Sequence, residues 1–307
     1  MIKKEGYRTI IDRFNTYLLT EKRVSSNTFS AYKHDIEQCV NFLSAQKVEP
    51  DKINVKDIKN FLHYLKKIGS SARTMSRKIS SLKVFFSYFQ QQYGLSNVAE
   101  DLTFPKLEKR LPQYLSEQEI QKLFEVAGRD TTINGIRNKI MLYLLYASGM
   151  RISELTHLQL SDVHFDTGLI FVQGKGGKGR MIPIPEAMNQ FLKEYINTVH
   201  KAITTKNGVA RKTEYLFPVY YGGKSKPITR QSFWIILKQL WKKTGIDRPI
   251  SPHKLRHSLA THMLKNGADL RSLQLLLGHE NLSTVQIYTH VETSYLRKIY
   301  DKKHPRS

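Results

Sequence analysis

The chain has 307 residues, room for roughly two domains of ~100–200 residues each. Apolar residues make up 40% of it, and 49 Lys and Arg against 26 Asp and Glu leave a formal charge of +23, which favours a polyanion as partner. The longest apolar run, 140–147, is far shorter than the ~20 residues that span a bilayer, so we expect a soluble, cytoplasmic protein. The single cysteine, Cys39, excludes an internal disulfide framework and a cysteine-based metal cluster and is expected to be a buried core thiol.

Residues 1–104 are predicted to form a helical domain. Apolar residues recur at spacings of three and four along four segments, which is typical of amphipathic helices. The third helix is expected to stop at Gly69, and the fourth to span about 71–93. Four cations are predicted to lie away from the apolar stripe of the fourth helix: Arg73, Arg77, Lys78 and Lys83. They form either an ordinary solvated surface or a face that contacts DNA, and the net charge leaves both interpretations open.

Residues 105–112 are predicted to form an extended linker, because prolines at both ends disfavour a helix. The second domain, 113–307, opens with a capping box at Ser116 and Glu119, followed by a helix and then an apolar helix over about 134–148. Two short strands, joined by a turn of glycine and lysine only, are expected at 168–173 and 180–184. Further helices are expected at about 185–204, 229–244, 252–265, 270–277, 284–290 and 293–302.

Polar residues that could carry chemistry fall at the predicted ends of helices in the second domain. His253 and Arg256 share one face of a helix that begins near residue 252, where an anion such as phosphate could bind. Alternatively, both side chains cap the helix or pair with nearby carboxylates. Arg151 follows a predicted helix end, and Glu154 lies three residues on, where its carboxylate could orient the arginine or a neighbour.

Two more fragments lie towards the C-terminus. Gly278-His279 follows a short predicted helix and is typical of a turn, and Tyr288 nine residues later is by itself typical of a core side chain. Taken in order, the fragments resemble the tyrosine site-specific recombinase (lambda-integrase-like) family. Its pattern is an arginine, a hairpin lysine, His-x-x-Arg, a histidine or tryptophan, and a tyrosine. The matching positions are Arg151, Lys175, His253, Arg256, His279 and Tyr288.

Within that family the chain is most similar to the bacterial Xer recombinases. The short linker, the Gly-Lys-Gly turn, the segment 275–279 and the ending 304–307 carry this similarity, and the tail resembles the D type more than the C type. The resemblance implies a mainly α fold with a small β-sheet or hairpin: a helical core-binding (SAM-like) domain followed by an α+β catalytic domain with a C-terminal subunit-contact helix. Gly179 stands where the family hairpin often has a glutamate, which keeps Lys178 as a weaker rival of Lys175.

The resemblance also implies how the residues divide the reaction. Tyr288 would attack a DNA phosphodiester and keep the 3′-phosphate, so no cofactor is expected. Arg151 and Arg256 would hold the two non-bridging oxygens, a task that suits a planar, permanently charged fork. Two arginines would thereby replace a divalent cation, and we expect no metal ion.

The remaining roles concern proton transfer and DNA binding. Lys175 would act as general acid to the leaving 5′-oxygen, His253 would exchange the tyrosine proton, and His279 would donate a hydrogen bond to the phosphate. Glu154 would orient a catalytic side chain without contacting the DNA itself. The predicted DNA-binding residues are Arg73, Arg77, Lys78, Lys83, Lys178 and Arg180.

The expected partner is double-stranded DNA with two inverted half-sites, bound by a homo- or hetero-tetramer. Resemblance to the Xer group adds a XerC-like second recombinase and an FtsK-like DNA translocase as candidate partners. The predicted role is resolution of chromosome or plasmid dimers at a dif-like site, and the integrase of a mobile genetic element is the alternative. Two other classes are a non-catalytic DNA-binding protein, which the intact set of six residues disfavours, and a metal-dependent nuclease built on the histidines.

Overall fold

A computed structural model describes residues 6–106, 114–174, 179–206 and 208–277. The chain divides into two compact units, Met1–Leu111 and Pro112–Ser307, and this division falls within the segment expected to be a linker. Each unit has a hydrophobic core of its own.

The N-terminal unit contains the four predicted helices. Ser25 and Ser71 cap the second and fourth helices through their hydroxyl groups, and Asn54 and Asp57 form a capping box at the third. The fourth helix ends at Gly94, which adopts the left-handed conformation that ends many helices. The helices are α1 (Tyr7–Thr20), α2 (Ser26–Ala45), α3 (Val55–Lys67) and α4 (Ala72–Tyr93).

Aromatic rings fill much of the core of this unit. Phe14 of α1 meets Phe85 edge-to-face, with ring centroids 5.1 Å apart, and Tyr17 lies 4.7 Å from Tyr88. Such pairs add to the free energy gained by burying their area. Cys39 lies in the same core, as predicted, and burial raises the pKa of its thiol to about 12.

The C-terminal unit mixes helices with short strands. Its opening capping box at Ser116 and Glu119 is confirmed. The long predicted helix at 185–204 is also confirmed, with a π-helical segment, Ile196–His200, between α8 and α9. The helices are α5 (Glu117–Gly128), α6 (Ile133–Ser148), α7 (Ile152–His157), α8 (Glu186–Tyr195), α9 (Lys201–Thr204), α10 (Arg230–Lys243), α11 (Pro252–Lys265) and α12 (Leu270–Leu277).

Three antiparallel strands form the largest sheet among the described residues of this unit, in the order β1 (Val163–His164), β2 (Leu169–Gln173) and β3 (Gly179–Pro183). The two predicted strands are β2 and β3, and Val172 pairs with Arg180 in their register. Ile170, Val172 and Ile182 are buried, as strand alternation requires when one face packs on the core. The predicted turn between β2 and β3 includes 175–178, which lie outside the described residues.

Two small hairpins were not predicted: β4 (Thr205–Lys206) with β5 (Val209–Ala210), and β6 (Pro218–Tyr221) with β7 (Lys224–Pro227). Their strands, of two or four residues each, are too short to show an alternating pattern. Two-residue turn signals stand between the paired strands, Asn207-Gly208 in the first hairpin and Gly222-Gly223, with positive φ at both residues, in the second. The predicted helices at 284–290 and 293–302 lie outside the described residues. None of the described helices is long and apolar enough to cross a membrane.

Candidate active site

The candidate site begins where α6 ends. Gly149 closes that helix in the left-handed conformation at φ 59°, and Arg151, two residues later, is the N-cap residue of α7. The backbone N–H of Arg151 donates to Oε2 of Glu154 at 2.6 Å, and its Nη1 donates to Oε1 at 2.9 Å. The Glu154 side chain is 5% exposed, and that of Arg151 is 41% exposed. A buried carboxylate therefore holds a guanidinium that still reaches solvent, as the sequence led us to expect.

Arg180 of β3 binds the same carboxylate, which corrects its predicted role in DNA binding. Its Nη1 and Nη2 donate to the two oxygens of Glu154 at 3.0 and 2.8 Å, and its Nε donates to the carbonyl of Leu276 at 3.2 Å. The side chain is only 6% exposed. The interpretation of Arg180 as a surface DNA contact is wrong, because the side chain is buried and each of its three nitrogens donates a hydrogen bond inside the protein.

Arg256 approaches from α11. Ser251 caps that helix, with Pro252 in its first turn, and His253 lies exposed in the same turn. Arg256 is buried; its Nη1 donates to the carbonyl of Gly149 at 2.6 Å and its Nη2 to that of Leu277. The predicted alternative of pairing with a carboxylate is not what holds Arg256, because its hydrogen bonds go to backbone carbonyls.

Hydrogen bonds bring the three arginines together, because Arg151 and Arg180 share Glu154, and Arg180 and Arg256 donate to the carbonyls of the consecutive residues Leu276 and Leu277. Burial, with the nearby charges of Arg151 and Arg180, lowers the pKa of Arg256 to about 10, and Glu154 opposes this shift. Burial by itself would raise the pKa of Glu154, but hydrogen bonds and charge from Arg180 and Arg151 lower it. One carboxylate thus faces three guanidinium groups, and the cluster has a net positive charge that an anion such as a phosphodiester would neutralise.

The structure brings together Arg151, Glu154 and Arg256, with His253 on the same helix as Arg256. The other predicted catalytic positions, Lys175, His279 and Tyr288, lie outside the described residues, as does Lys178. Among the described residues, no group of three or more His, Cys, Asp or Glu could hold a metal ion. The expected independence of metal ions remains a prediction.

The predicted basic face of α4 needs a correction. Lys78 is only 4% exposed, and its Nζ donates to Asp35 at 2.8 Å and to Gln38 at 2.5 Å, so its placement on a solvent-facing surface is wrong. Arg77, 40% exposed, also binds Asp35 at 2.5 Å. Arg73 is exposed. Lys83 donates to the carbonyl of Glu100 at 2.8 Å and lies 5.5 Å from the ring centroid of Phe104.

Sequence periodicity contained a signal for both corrections. Lys78 lies three residues after Met75 and four before Leu82, which puts it on the apolar stripe of α4 rather than beside it. Arg180 lies two residues before the buried Ile182 and therefore shares its face of the strand. A buried cation needs a partner that compensates its charge. The buried positions of Lys78 and Arg180 therefore indicate that each has a carboxylate nearby.

Comparison with known proteins gave matches over nearly the whole chain. A model described as the Phage integrase family matches residues 113–294, and one for the Phage integrase, N-terminal SAM-like domain matches 11–92. Tyrosine recombinase XerD of Staphylococcus saprophyticus is 39% identical over 301 residues, which cover 97% of this chain and 99% of that protein. Tyrosine recombinase XerD of Listeria innocua is 38% identical with the same coverage.

Solved structures agree with the predicted fold class. A lambda integrase dimer bound to a COC′ core site matches with a TM-score of 0.69 at 18% identity, covering 95% of this chain and 77% of that one. XerH site-specific recombinase bound to difH substrate matches with a TM-score of 0.68 at 20% identity, covering 98% and 83%. The mainly α fold with small sheets, a SAM-like N-terminal domain and a catalytic domain, is confirmed.

Proposed function

The chain belongs to the phage integrase family and is a tyrosine recombinase, and from that premise we propose that it cuts and rejoins double-stranded DNA through a 3′-phosphotyrosyl bond on Tyr288. The observation that carries this proposal is the cluster of Arg151 and Arg256 beside Glu154. Two guanidinium groups in a site with net positive charge suit the two non-bridging oxygens of a phosphodiester, whose charge grows in the transition state.

The proposed step exchanges one ester bond for another. The Tyr288 oxygen bonds to phosphorus while the bond from phosphorus to the 5′-oxygen breaks. His253 takes the tyrosine proton, and Lys175 donates a proton to the departing 5′-oxygen. His279 donates a hydrogen bond to the phosphate. Because the phosphotyrosyl ester conserves the bond energy, the 5′-hydroxyl of a second strand reverses the step without a cofactor.

DNA binding by the N-terminal unit is the second part of the proposal. Of the four α4 cations first predicted to contact DNA, Lys78 is buried and Lys83 donates to the carbonyl of Glu100. Arg73 and Arg77 keep exposed surface and are the two that we assign to DNA. Asp35 holds Arg77 in one orientation, which lowers the entropy lost when it binds a phosphate. The net charge of +23 supports an affinity dominated by phosphate contacts and sensitive to salt.

The proposed biological role is resolution of chromosome or plasmid dimers at a dif-like site. It is supported by 39% identity to a XerD recombinase over almost the whole chain. The working form would be a tetramer on two DNA duplexes with inverted half-sites, associated with the nucleoid. A XerC-like partner would occupy the other half-sites, and an FtsK-like translocase would trigger the reaction. Integration of a mobile element remains the alternative, since it uses the same chemistry on different DNA.

The first test is formation of a covalent adduct with DNA. We would map, across the source genome, the DNA that becomes attached to the wild-type protein, with Tyr288→Phe as the control. We expect one site in the replication-terminus region and no adduct with the variant. The reaction should persist in a metal chelator.

Each other outcome assigns the protein differently. Sites at the borders of an inserted element would make the protein an integrase. Binding without any Tyr288-dependent adduct, even on nicked substrates that trap the intermediate, would leave a non-catalytic DNA-binding protein. Cleavage that survives Tyr288→Phe and stops in a chelator would indicate a metal-dependent nuclease.

A further inference from the structure

We propose that Arg180 is a positioning residue for DNA cleavage, which orients Arg151 through the carboxylate of Glu154. The inference rests on the proposed function and deepens it, because it assigns a role in phosphate binding to a side chain that does not reach the phosphate. It also separates the two arginines of the site, since Arg151 shares the Glu154 carboxylate with Arg180, whereas the hydrogen bonds of Arg256 go to backbone carbonyls.

The first step of the argument is that Arg180 fixes the Glu154 carboxylate in direction as well as in place. Two parallel hydrogen bonds of 3.0 and 2.8 Å join the guanidinium to both carboxylate oxygens. Such a fork restricts rotation of the carboxylate about its terminal bond. The third donor, Nε, is bound to the carbonyl of Leu276, so Arg180 is itself anchored to the C-terminal end of α12.

The second step is that the same two oxygens hold Arg151. Oε1 accepts from Nη1 of Arg151 at 2.9 Å and from Nη1 of Arg180 at 3.0 Å. Oε2 accepts from the Arg151 backbone at 2.6 Å and from Nη2 of Arg180 at 2.8 Å. A rotation of the carboxylate would therefore move the acceptor of the Arg151 guanidinium. The Arg151 side chain is long and 41% exposed, so holding it in one conformation costs entropy that these bonds must offset.

The third step is that Arg256 is held differently. Its two terminal nitrogens donate to the backbone carbonyls of Gly149 and Leu277, at the ends of α6 and α12. Neither acceptor belongs to Glu154, so a turn of that carboxylate removes neither of these two hydrogen bonds. Loss of Arg180 should consequently resemble a partial loss of Arg151 and not a partial loss of Arg256.

The structure also indicates why an arginine is needed at this position. A buried ion pair adds little to stability, because desolvation of both groups offsets their attraction. A lysine could keep the charge of Arg180, but a single ammonium group cannot form the fork to both oxygens and the bond to Leu276 together. The geometry of Arg180, more than its charge, is what Glu154 requires.

The test uses the full-length protein and a duplex carrying the site recovered by covalent mapping, nicked so that the adduct is trapped. Adduct formation is timed at saturating DNA for wild type, Arg180→Gln, Arg151→Ala and Arg256→Ala. Two forms of the scissile group are compared: the normal phosphodiester, and each separate diastereomer of a methylphosphonate. The methyl group replaces one non-bridging oxygen and removes the negative charge. A variant that fails to orient a cation towards that oxygen should therefore lose less cleavage rate on the diastereomer in which the methyl group takes its place.

We expect Arg180→Gln to slow cleavage of the phosphodiester by about 10- to 100-fold, because a displacement of the order of an ångström at a reacting centre costs that much. The defect should shrink on the same methylphosphonate diastereomer that restores Arg151→Ala. In an Arg151→Ala background, Arg180→Gln should add less than about a 3-fold loss, because coupled residues are not additive. Arg180→Lys should cleave slowly as well, with the same diastereomer preference.

Arg211→Gln is the matched control. Arg211 lies in the same unit, donates to the carbonyl of Ile203 at 2.8 Å and stacks on the ring of Tyr220 at 3.5 Å. Its loss should leave the cleavage rate unchanged. Unfolding by urea, followed by tryptophan fluorescence, checks that each variant is folded at the assay temperature. If Arg180→Gln does not fold, Arg180→Lys carries the test.

Three results would overturn the inference. The first is that Arg180→Gln slows cleavage of the phosphodiester and of the methylphosphonate by the same factor. The second is that its cleavage rate recovers on the diastereomer that restores Arg256→Ala instead. The third is that Arg180→Gln cleaves the phosphodiester as fast as wild type. Failure of the proposed function looks different, because then the wild-type protein itself forms no Tyr288-dependent adduct.

Discussion

Each of the two units buries one carboxylate between two cations, and the two clusters are built alike. In both, one cation is buried and the other is about half exposed. In the N-terminal unit Asp35 binds Lys78 and Arg77, and in the C-terminal unit Glu154 binds Arg180 and Arg151. The partners of the carboxylate and their exposure therefore do not distinguish one cluster from the other.

Their surroundings separate them. Asp35 joins helix α2 to consecutive residues of α4, and its neighbours Gln38 and Ser81 are neutral. Glu154 joins a helix start to a strand, and a third guanidinium, that of Arg256, lies close enough for Arg151 and Arg180 to lower its pKa. The first cluster joins α2 to α4, whereas the second gathers three guanidinium groups near one carboxylate, at the site that we propose for the phosphate. The excess of charge, rather than burial, distinguishes the candidate active site.

The largest effect should come from breaking the N-terminal cluster. Asp35→Ala leaves Lys78 buried without its carboxylate, and we expect a loss of about 3–5 kcal/mol in the free energy of unfolding of that unit. Both tryptophans, Trp234 and Trp241, belong to the C-terminal unit. Urea unfolding followed by circular dichroism should therefore show the loss, while the tryptophan fluorescence transition stays in place.

The matched control replaces Asp35 by Leu and Lys78 by Met together. This apolar pair should recover most of the lost stability, because neither charge then remains buried without a partner. Failure to recover, or a shift of the tryptophan transition of similar size, would contradict a stabilising role of the Asp35–Lys78 pair that is confined to the N-terminal unit.

A smaller effect should distinguish two glycines that end helices. Gly94 and Gly149 both have positive φ, so alanine at either position should cost about 1–2 kcal/mol of stability. An added Cβ meets nothing within 4 Å at Gly94, but lies 2.8 Å from a methyl group of Leu277 at Gly149. The carbonyls of Gly149 and Leu277 are the two acceptors of Arg256.

Gly149→Ala should therefore lower the rate of adduct formation as well as stability, and Gly94→Ala should lower stability alone. Urea unfolding and the trapped-adduct assay, run on both variants at saturating DNA, make this comparison. Equal cleavage rates for the two variants would show that the end of α6 does not position Arg256.

The smallest effect concerns pH. Hydrogen bonds and charge from Arg180 and Arg151 lower the pKa of Glu154 in the folded protein, despite its burial. The stability that this carboxylate contributes is present above the pKa of an unfolded glutamate, about 4.3, and disappears as the pH falls through the lower folded value. The difference in unfolding free energy between wild type and Glu154→Gln should thus be present at neutral pH and close in acid.

Tryptophan fluorescence in urea, measured over a series of pH values, tests this expectation in the C-terminal unit. The exposed Glu194, replaced by glutamine, is the control and should show no such convergence. A gap between wild type and Glu154→Gln that stayed constant down to acid pH would mean that the ionised carboxylate is not what holds the two arginines.

Local features of the fold were predictable because their causes are local. Helix periodicity gave all four helices of the N-terminal unit, and capping residues such as Ser116 gave helix starts within a residue or two. The two-residue and four-residue strands between 205 and 227 were missed, since so few residues show no period. The order of the catalytic motif allowed the family to be predicted, and the comparisons confirmed that prediction.

The sequence by itself indicated most of the described helices, the two strands of the central hairpin and the family, because these depend on neighbouring residues or on motif order; the short helix α7 was not predicted. Only the tertiary structure decided which groups the buried cations bind. Lys78 meets its carboxylate across 43 residues, Arg180 across 26, and Arg256 meets the carbonyl of Gly149 across 107. A buried cation is stable only with a partner in reach. The packing of distant elements therefore decided that Lys78 and Arg180 bind carboxylates inside the protein and do not lie at the surface.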